Sequence, residues 1–322
     1  MHTDVVSVDV GEGRSVTCGT MRETSALHTT HGLWPSTQHL HMQIEQQHPR
    51  FYDRLKIHDG DRTVLALNLG GSAKDLFLMR PCIHPFYTPD GYPVTEMGAH
   101  NFPHHKGVWV GHAQVNGVNF FHDLPDAGWI VPIETHMETT EASASIHLIL
   151  EWRDQRGTII ATETRRHVVR RKRQAHVLDI LTSLHASHGS LDLGVDNHAW
   201  VGCRTIDALD YDDGGQMLDS EGRHGPDAIN SNPIRWVTNS GAIGEHTCGI
   251  TVMAHPDSSP VPVFARFYGT SLLNPTMFEP LHIDDGDSWA FGARVIAHDG
   301  LPSASEINDL WSASDQEYLQ PL

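Results

Sequence analysis

The residues in this chain that could do chemistry are histidines set among proline, glycine and aromatic side chains, and that company is found between residues 84 and 122. Arg80-Pro81-Cys82-Ile83-His84-Pro85-Phe86-Tyr87-Thr88-Pro89-Asp90-Gly91 is followed by Asn101-Phe102-Pro103-His104-His105-Lys106-Gly107-Val108-Trp109-Val110-Gly111-His112 and then Asn116 through His122. Six of the 25 histidines fall in this window. The surrounding residues build stiff, irregular backbone, which is what a positioned site requires. A neutral imidazole offers one donor and one acceptor, and suits proton transfer near neutral pH or ligation of a divalent metal. No HExxH pattern is present, so spacing alone selects no metal.

Strand parity limits which imidazoles can cooperate. If residues 107–115 are extended, Val108, Val110 and His112 share a face, and Trp109 and Gly111 point the other way. His104 and His105 are adjacent and face opposite sides, so one of them joins His112, and the sequence leaves open which. A second constellation is Asp196 and His198, two apart and on one face if extended, where the carboxylate can fix the imidazole tautomer or co-ligate a metal. A third is Arg266 and Tyr268 with Asn274 and Glu279 beyond them; Arg can grip a carboxylate or vicinal hydroxyls in a forked geometry. His84 and Tyr87 would line the pocket wall. Each has an ordinary alternative: a satisfied core imidazole, a polar strand end, an exposed loop glutamate.

The elements that must hold these groups are strands. Ala144, Ile146, Leu148, Leu150 and Trp152 alternate along one face, and two further long strands follow, 158–169 and 174–184, joined by short turns into an antiparallel meander. Other strand candidates are 16–21, 62–69, 76–79, 107–115, 129–134, 248–254, 263–268 and 288–297. A long loop is expected over 207–233, and Ser303-Ala304-Ser305-Glu306 is a capping box that opens a C-terminal helix over 303–314. Arg165 to Arg173 reads as a solvated hairpin end, and Asp284-Asp285-Gly286-Asp287 as a turn. The expected fold is one large all-β antiparallel sandwich over residues 1–322.

Composition excludes several classes. Lys+Arg 22 against Asp+Glu 40 gives a formal net charge of −18, which repels phosphate backbones and argues against nucleic acid. No run approaches the roughly 20 apolar residues of a membrane-spanning helix, so no membrane partner is expected. The N-terminus shows no secretory signal and the four cysteines are scattered, so the expected setting is a reducing cytoplasm with free thiols. A homo-oligomer is compatible with the sequence, and no nucleotide-cofactor motif occurs.

From Arg80-Pro81 to Phe121 the chain resembles the PmoA-like family of soluble bacterial proteins, a family of unknown function. Its hallmark is Arg-Pro-x-x-His-Pro-x-Tyr-Thr-Pro-x-Gly, then His-Pro-His-His-Arg-Gly and Val-Asn-Gly-x-Asp-Phe-Trp. The first segment matches closely. The later ones depart at Phe102, Lys106, Asn119 and Phe121. Similarity resumes at 196–202, from His255-Pro256 through Arg266 and Tyr268-Gly269 to Asn274-Pro275, and at 286–300. The family label implies methane oxidation, but the methane-oxidising subunit is a membrane protein and this chain has no span to match. The architecture resembles the galactose mutarotase-like supersandwich, whose epimerases and lyases place His, Arg, Tyr and carboxylate groups on a concave sheet face. The resemblance implies a sugar or oxidised (keto) sugar as ligand.

The leading expectation is a carbohydrate-active enzyme, a lyase, hydrolase or epimerase. His104, His105, His112 and His198 supply acid/base groups or ligands for one divalent metal, while His84, Tyr87, Asp196, Arg266, Tyr268, Asn274 and Glu279 bind substrate. The alternatives are a sugar-binding or sensing protein without turnover, which predicts these imidazoles out of reach of one another, and a mononuclear metal oxygenase, which requires three ligands to converge.

Overall fold

The computed structural model describes residues 41–48, 53–70, 78–172 and 174–311, all of which fall in one compact unit, His39–Leu322. The strand expected at 16–21 lies outside the described residues. Residues 78 and 79, the described part of the candidate at 76–79, are not extended into a strand.

The fold is the expected all-β antiparallel sandwich, built from a nine-stranded and an eight-stranded sheet. Six strands position the residues of interest: β1 (Cys82–Phe86), β2 (Phe102–Lys106), β3 (Val108–His112), β4 (Ala199–Arg204), β5 (Val261–Arg266) and β6 (Thr270–Leu273). In the nine-stranded sheet, hydrogen-bonded neighbours run β1, β3, β4, β6, β5, all antiparallel. β2 pairs instead with Met97–Ala99 in a separate two-stranded ribbon.

The meander forms the far side of the eight-stranded sheet as Ser143–Arg153, Ile159–Lys172 and Ala175–His185. Its alternating Ala144, Ile146, Leu148, Leu150 and Trp152 are all fully buried between the sheets. The basic corner is a solvated end only at Arg171, which is exposed. Arg165 and Arg170 are buried and paired with Glu163 and Asp179, because the strand continues through them into the sheet. The loop expected over 207–233 contains the short elements Asp207–Leu209, Gln216–Asp219, Pro226–Ile229 and Pro233–Ile234. The terminal helix runs Ala304–Trp311. Its capping box forms as read: the Ser303 N–H donates to Glu306 Oε2 (2.8 Å) and the Glu306 N–H to Ser303 Oγ (3.3 Å).

At β3 and β4 the nine-stranded sheet is buried on both faces, and this decides where the site lies. Val108, Val110, Ile83, Val263 and Ala265 point into the core between the sheets. Their strand neighbours Trp109, Cys82 and Phe264 join Phe121, Leu272 and Met277 in a second apolar cluster on the outer face. Gly202 makes room for this layer, since a Cβ there would lie 2.5 Å from the Trp109 ring. Cys82, Cys203 and Cys248 are free and buried.

Candidate functional site

On the outer face the β2 ribbon is pinned to the sheet by charge. Arg80, 1% exposed, donates from Nη1 to Asp123 Oδ1 (3.0 Å) and from Nη2 to the His104 carbonyl (2.6 Å). Lys106 Nζ sits 3.1 Å from the other carboxylate oxygen of Asp123. Arg80 also lies over the rings of Trp109 and Phe121, at 5.9 and 5.5 Å. Charges this deeply buried persist only when paired and hydrogen-bonded.

Above this layer the imidazoles of His104, His122 and His198 form a row, with ring centroids 4.7 Å apart from His104 to His122 and 4.7 Å from His122 to His198. All three are part-exposed. Burial is the first cause that pushes His104 down to about 3 and His122 to about 4, and the neighbouring imidazoles and Arg80 add to it. Both are therefore neutral at pH 7.

Backbone donors fix the proton positions. Asn119 Oδ1 accepts from the N–H groups of Phe121 and His122 (2.9 Å each), so its Nδ2 is the donor that faces His122 Nδ1 at 3.0 Å. His122 Nδ1 must accept, and the ring proton sits on Nε2. His198 is the opposite case. Asp196 Oδ1 accepts from both the backbone N–H and Nδ1–H of His198, at 2.8 Å each, which leaves the lone pair on Nε2. His122 thus presents an Nε2–H donor, and the Nδ1–H tautomer of His198 presents an Nε2 acceptor.

His104 and His105 do not diverge as their adjacency suggests. Their rings meet edge-on at 4.6 Å, because β2 is bulged against its partner. His104 turns to His122, whereas His105, 2% exposed, is stacked between Phe102 (5.1 Å) and Trp109 (5.4 Å) and bonded to Thr270 Oγ1 (3.1 Å). Burial pushes its pKa to about 2. It packs the ribbon onto the sheet.

His112 is on the other side. It shares the face of Val108 and Val110, is fully buried, lies against Trp200 in the core, and has both nitrogens engaged, by Thr276 Oγ1 (2.8 Å) and the Gln114 N–H (2.9 Å). The expected grouping of His112 with His104 or His105 and His198 therefore fails. Asn274 is likewise support, fully buried, with Nδ2 donating to the Asp196 carbonyl (2.7 Å). Arg266 lies over the Phe264 ring at 3.8 Å, and that ring also meets His198 at 5.6 Å. Tyr268 stacks on Phe102 at 4.3 Å under the Arg204 guanidinium. His84 bonds Thr95 Oγ1 (3.2 Å) and the Tyr87 carbonyl accepts from His176 (2.8 Å), so both are tied to neighbours outside the row. Glu279 is exposed on the loop beyond Asn274.

As a metal set the expected histidines do not fit. In two places among the described residues three side chains bring ligand atoms within 4.8 Å of one another, Asp90 with His246 and Asp299, and Asp207 with Asp210 and Asp213, and neither includes these histidines. The sequence reading missed His122, Arg80, Asp123 and Thr276. The Asn119-x-x-His122 spacing, an Asx turn, was the available signal for the first.

The family of unknown function DUF6807 matches residues 54–312. The chain belongs to that family. Its description carries no activity and no PmoA label, and no curated protein matches the chain. Among solved structures, a galactose mutarotase-like protein from Lactobacillus casei is similar over 80% of this chain and 100% of its own, at 8% identity and TM-score 0.38. A TPR-domain containing protein from Parabacteroides distasonis is similar over 79% of this chain and 48% of its own, at 9% identity and TM-score 0.40. An α-galactosidase from Geobacillus stearothermophilus is similar over 66% and 29%, at 13% identity and TM-score 0.31. The chain thus spans about half or less of two of these proteins, and likenesses of this strength carry no statement about chemistry. Among the described residues no helix is long and apolar enough to cross a membrane.

Proposed function

We propose that the outer face around His104, His122 and His198 binds a sugar or keto sugar and moves a proton on it. The observation that supports this reading is the opposite tautomers that Asn119 and Asp196 select on two touching rings. His198 Nε2, backed by Asp196, is the base, and His122 Nε2–H is a neutral donor able to hold the oxygen of a hydroxyl or polarise that of a carbonyl. A proton leaving carbon next to a carbonyl, or an anomeric hydroxyl, passes to His198 while His122 steadies the charge that develops on oxygen. Arg266 would grip a carboxylate or vicinal hydroxyls beside His198. The close row of imidazoles favours turnover over passive binding.

Hexoses, the corresponding uronic acids and 3-keto sugars offered to the wild type and to His198→Gln test this reading. Turnover of at least one of them is expected in the wild type, with kcat about 10²–10⁴-fold lower in the variant and binding seen by ligand-observed NMR retained. Failure of every sugar to bind, or shift perturbations of bound sugar on a different face, refutes it.

A further inference from the structure

His112 and His198 stand on opposite faces of the nine-stranded sheet, yet a series of hydrogen bonds, carried through residue Asp196 from its carbonyl to its carboxylate, joins them, and its direction is fixed at two points by backbone N–H groups. At one end the Gln114 N–H donates to His112 Nδ1 (2.9 Å), so this buried, neutral ring carries its proton on Nε2 and donates it to Thr276 Oγ1 (2.8 Å). In the middle the Thr276 N–H donates to Asn274 Oδ1 (3.0 Å), which sets the orientation of that amide. Thr276 Oγ1–H then has the same Oδ1 as its acceptor (3.2 Å), and Asn274 Nδ2 is left to donate to the Asp196 carbonyl (2.7 Å). The Asp196 carboxylate in turn accepts twice from His198. Reversal of any one link would set donor against donor or acceptor against acceptor in a buried setting, at a cost of roughly 1–3 kcal/mol per group.

We propose that His112, Thr276 and Asn274 are positioning residues that act across the sheet to hold the Asp196 loop and thereby keep the His198 proton on Nδ1. The assignment rests on the reading of His198 as the base. His112 touches nothing that would bind substrate; its part is to give the Thr276 hydroxyl a single orientation, and through Asn274 to place a carboxylate that the five-residue loop 194–198 would otherwise leave free to turn. Thr276 is fully buried in the middle of this series, so its hydroxyl has no solvent to replace a missing partner.

Imidazole two-bond ¹H–¹⁵N spectra of His-labelled protein test this directly, with Thr276→Val to delete the hydroxyl and Thr276→Ser to restore it. Wild type and Thr276→Ser are expected to show His198 as a single Nδ1–H tautomer and His112 as Nε2–H, and Thr276→Val to show averaged His198 nitrogen shifts. A folded Thr276→Val with the wild-type His198 pattern overturns the proposal. If that variant does not fold, the wild type still decides: His112 protonated on Nδ1, or His198 on Nε2, overturns it equally. The spectra read the tautomer without substrate. Intact coupling in a protein that turns over no sugar would therefore count against the sugar reading and leave the positioning chain standing.

Discussion

Substitution Asp123→Asn isolates the charge layer under the imidazole row. Asp123 receives Arg80 Nη1 at 3.0 Å and Lys106 Nζ at 3.1 Å, and the side chains of Arg80, Lys106 and Asp123 are 2%, 2% and 8% exposed. At an effective dielectric of about 20, each contact is worth about 5 kcal/mol of gross attraction, most of it offset by desolvation of the ions. The asparagine keeps the shape but turns an amide N–H₂ towards one of two cations. Loss of one member of a buried ion pair costs about 3–5 kcal/mol, since the partner charge stays behind. For a chain of this length that corresponds to a fall in Tm of roughly 4–7 °C. Urea denaturation followed by tryptophan fluorescence and by far-UV circular dichroism reads the change, with Glu134→Gln as control, because the Glu134 and His136 pair is 61% and 71% exposed and its loss should leave the midpoint unchanged. If Asp123→Asn lies within 1 kcal/mol of wild type while Glu134→Gln behaves as stated, the charge layer does not hold the ribbon. The Arg80 bond to the His104 carbonyl then could not be what places His104 beside His122.

Acidification should destabilise the protein well above the ordinary carboxylate range. Burial holds His112 and His122 at about 4, His167 at about 3 and His105 at about 2, against about 6.5 in the unfolded chain. The unfolded state binds more protons, so stability is complete above pH 6.5 and is lost as pH falls through 4 and below; a urea midpoint that is flat or rises between pH 7 and 4.5 contradicts this. Gly202→Ala should cost about 1–3 kcal/mol by overpacking, because its Cβ would meet Trp109 ring carbons at 2.5 and 2.6 Å; Trp109→Phe in the same chain should recover part of the loss in a thermal scan. Ser303→Ala should cost about 1 kcal/mol and raise amide exchange in the Ala304–Trp311 helix alone, and a change spread over the whole sandwich would count against a purely local cap.

How much of this was legible in the sequence turns on what alternation can and cannot say. In the meander, Ala144 to Trp152 alternate with polar residues, so one face is marked as core, and the structure buries those five side chains together. In β3 every residue from Val108 to His112 is buried. Parity there still sorts Val108, Val110 and His112 from Trp109 and Gly111, and it did so correctly, but a strand covered on both faces carries no mark of which face meets solvent and ligand. His112 was placed with the site for that reason, although two valines as its face companions are a core signature. Asp196 and His198 were legible because their coupling is local, two residues apart on one segment. The donor that faces His198 was not, since His122 is oriented by Asn119 on a different loop and meets His198 only once β3 and β4 pair through Ala199 and His112. Sequence therefore fixes a histidine's chemistry, while long-range pairing decides which histidine faces which, and the base and donor of this face come from segments more than seventy residues apart.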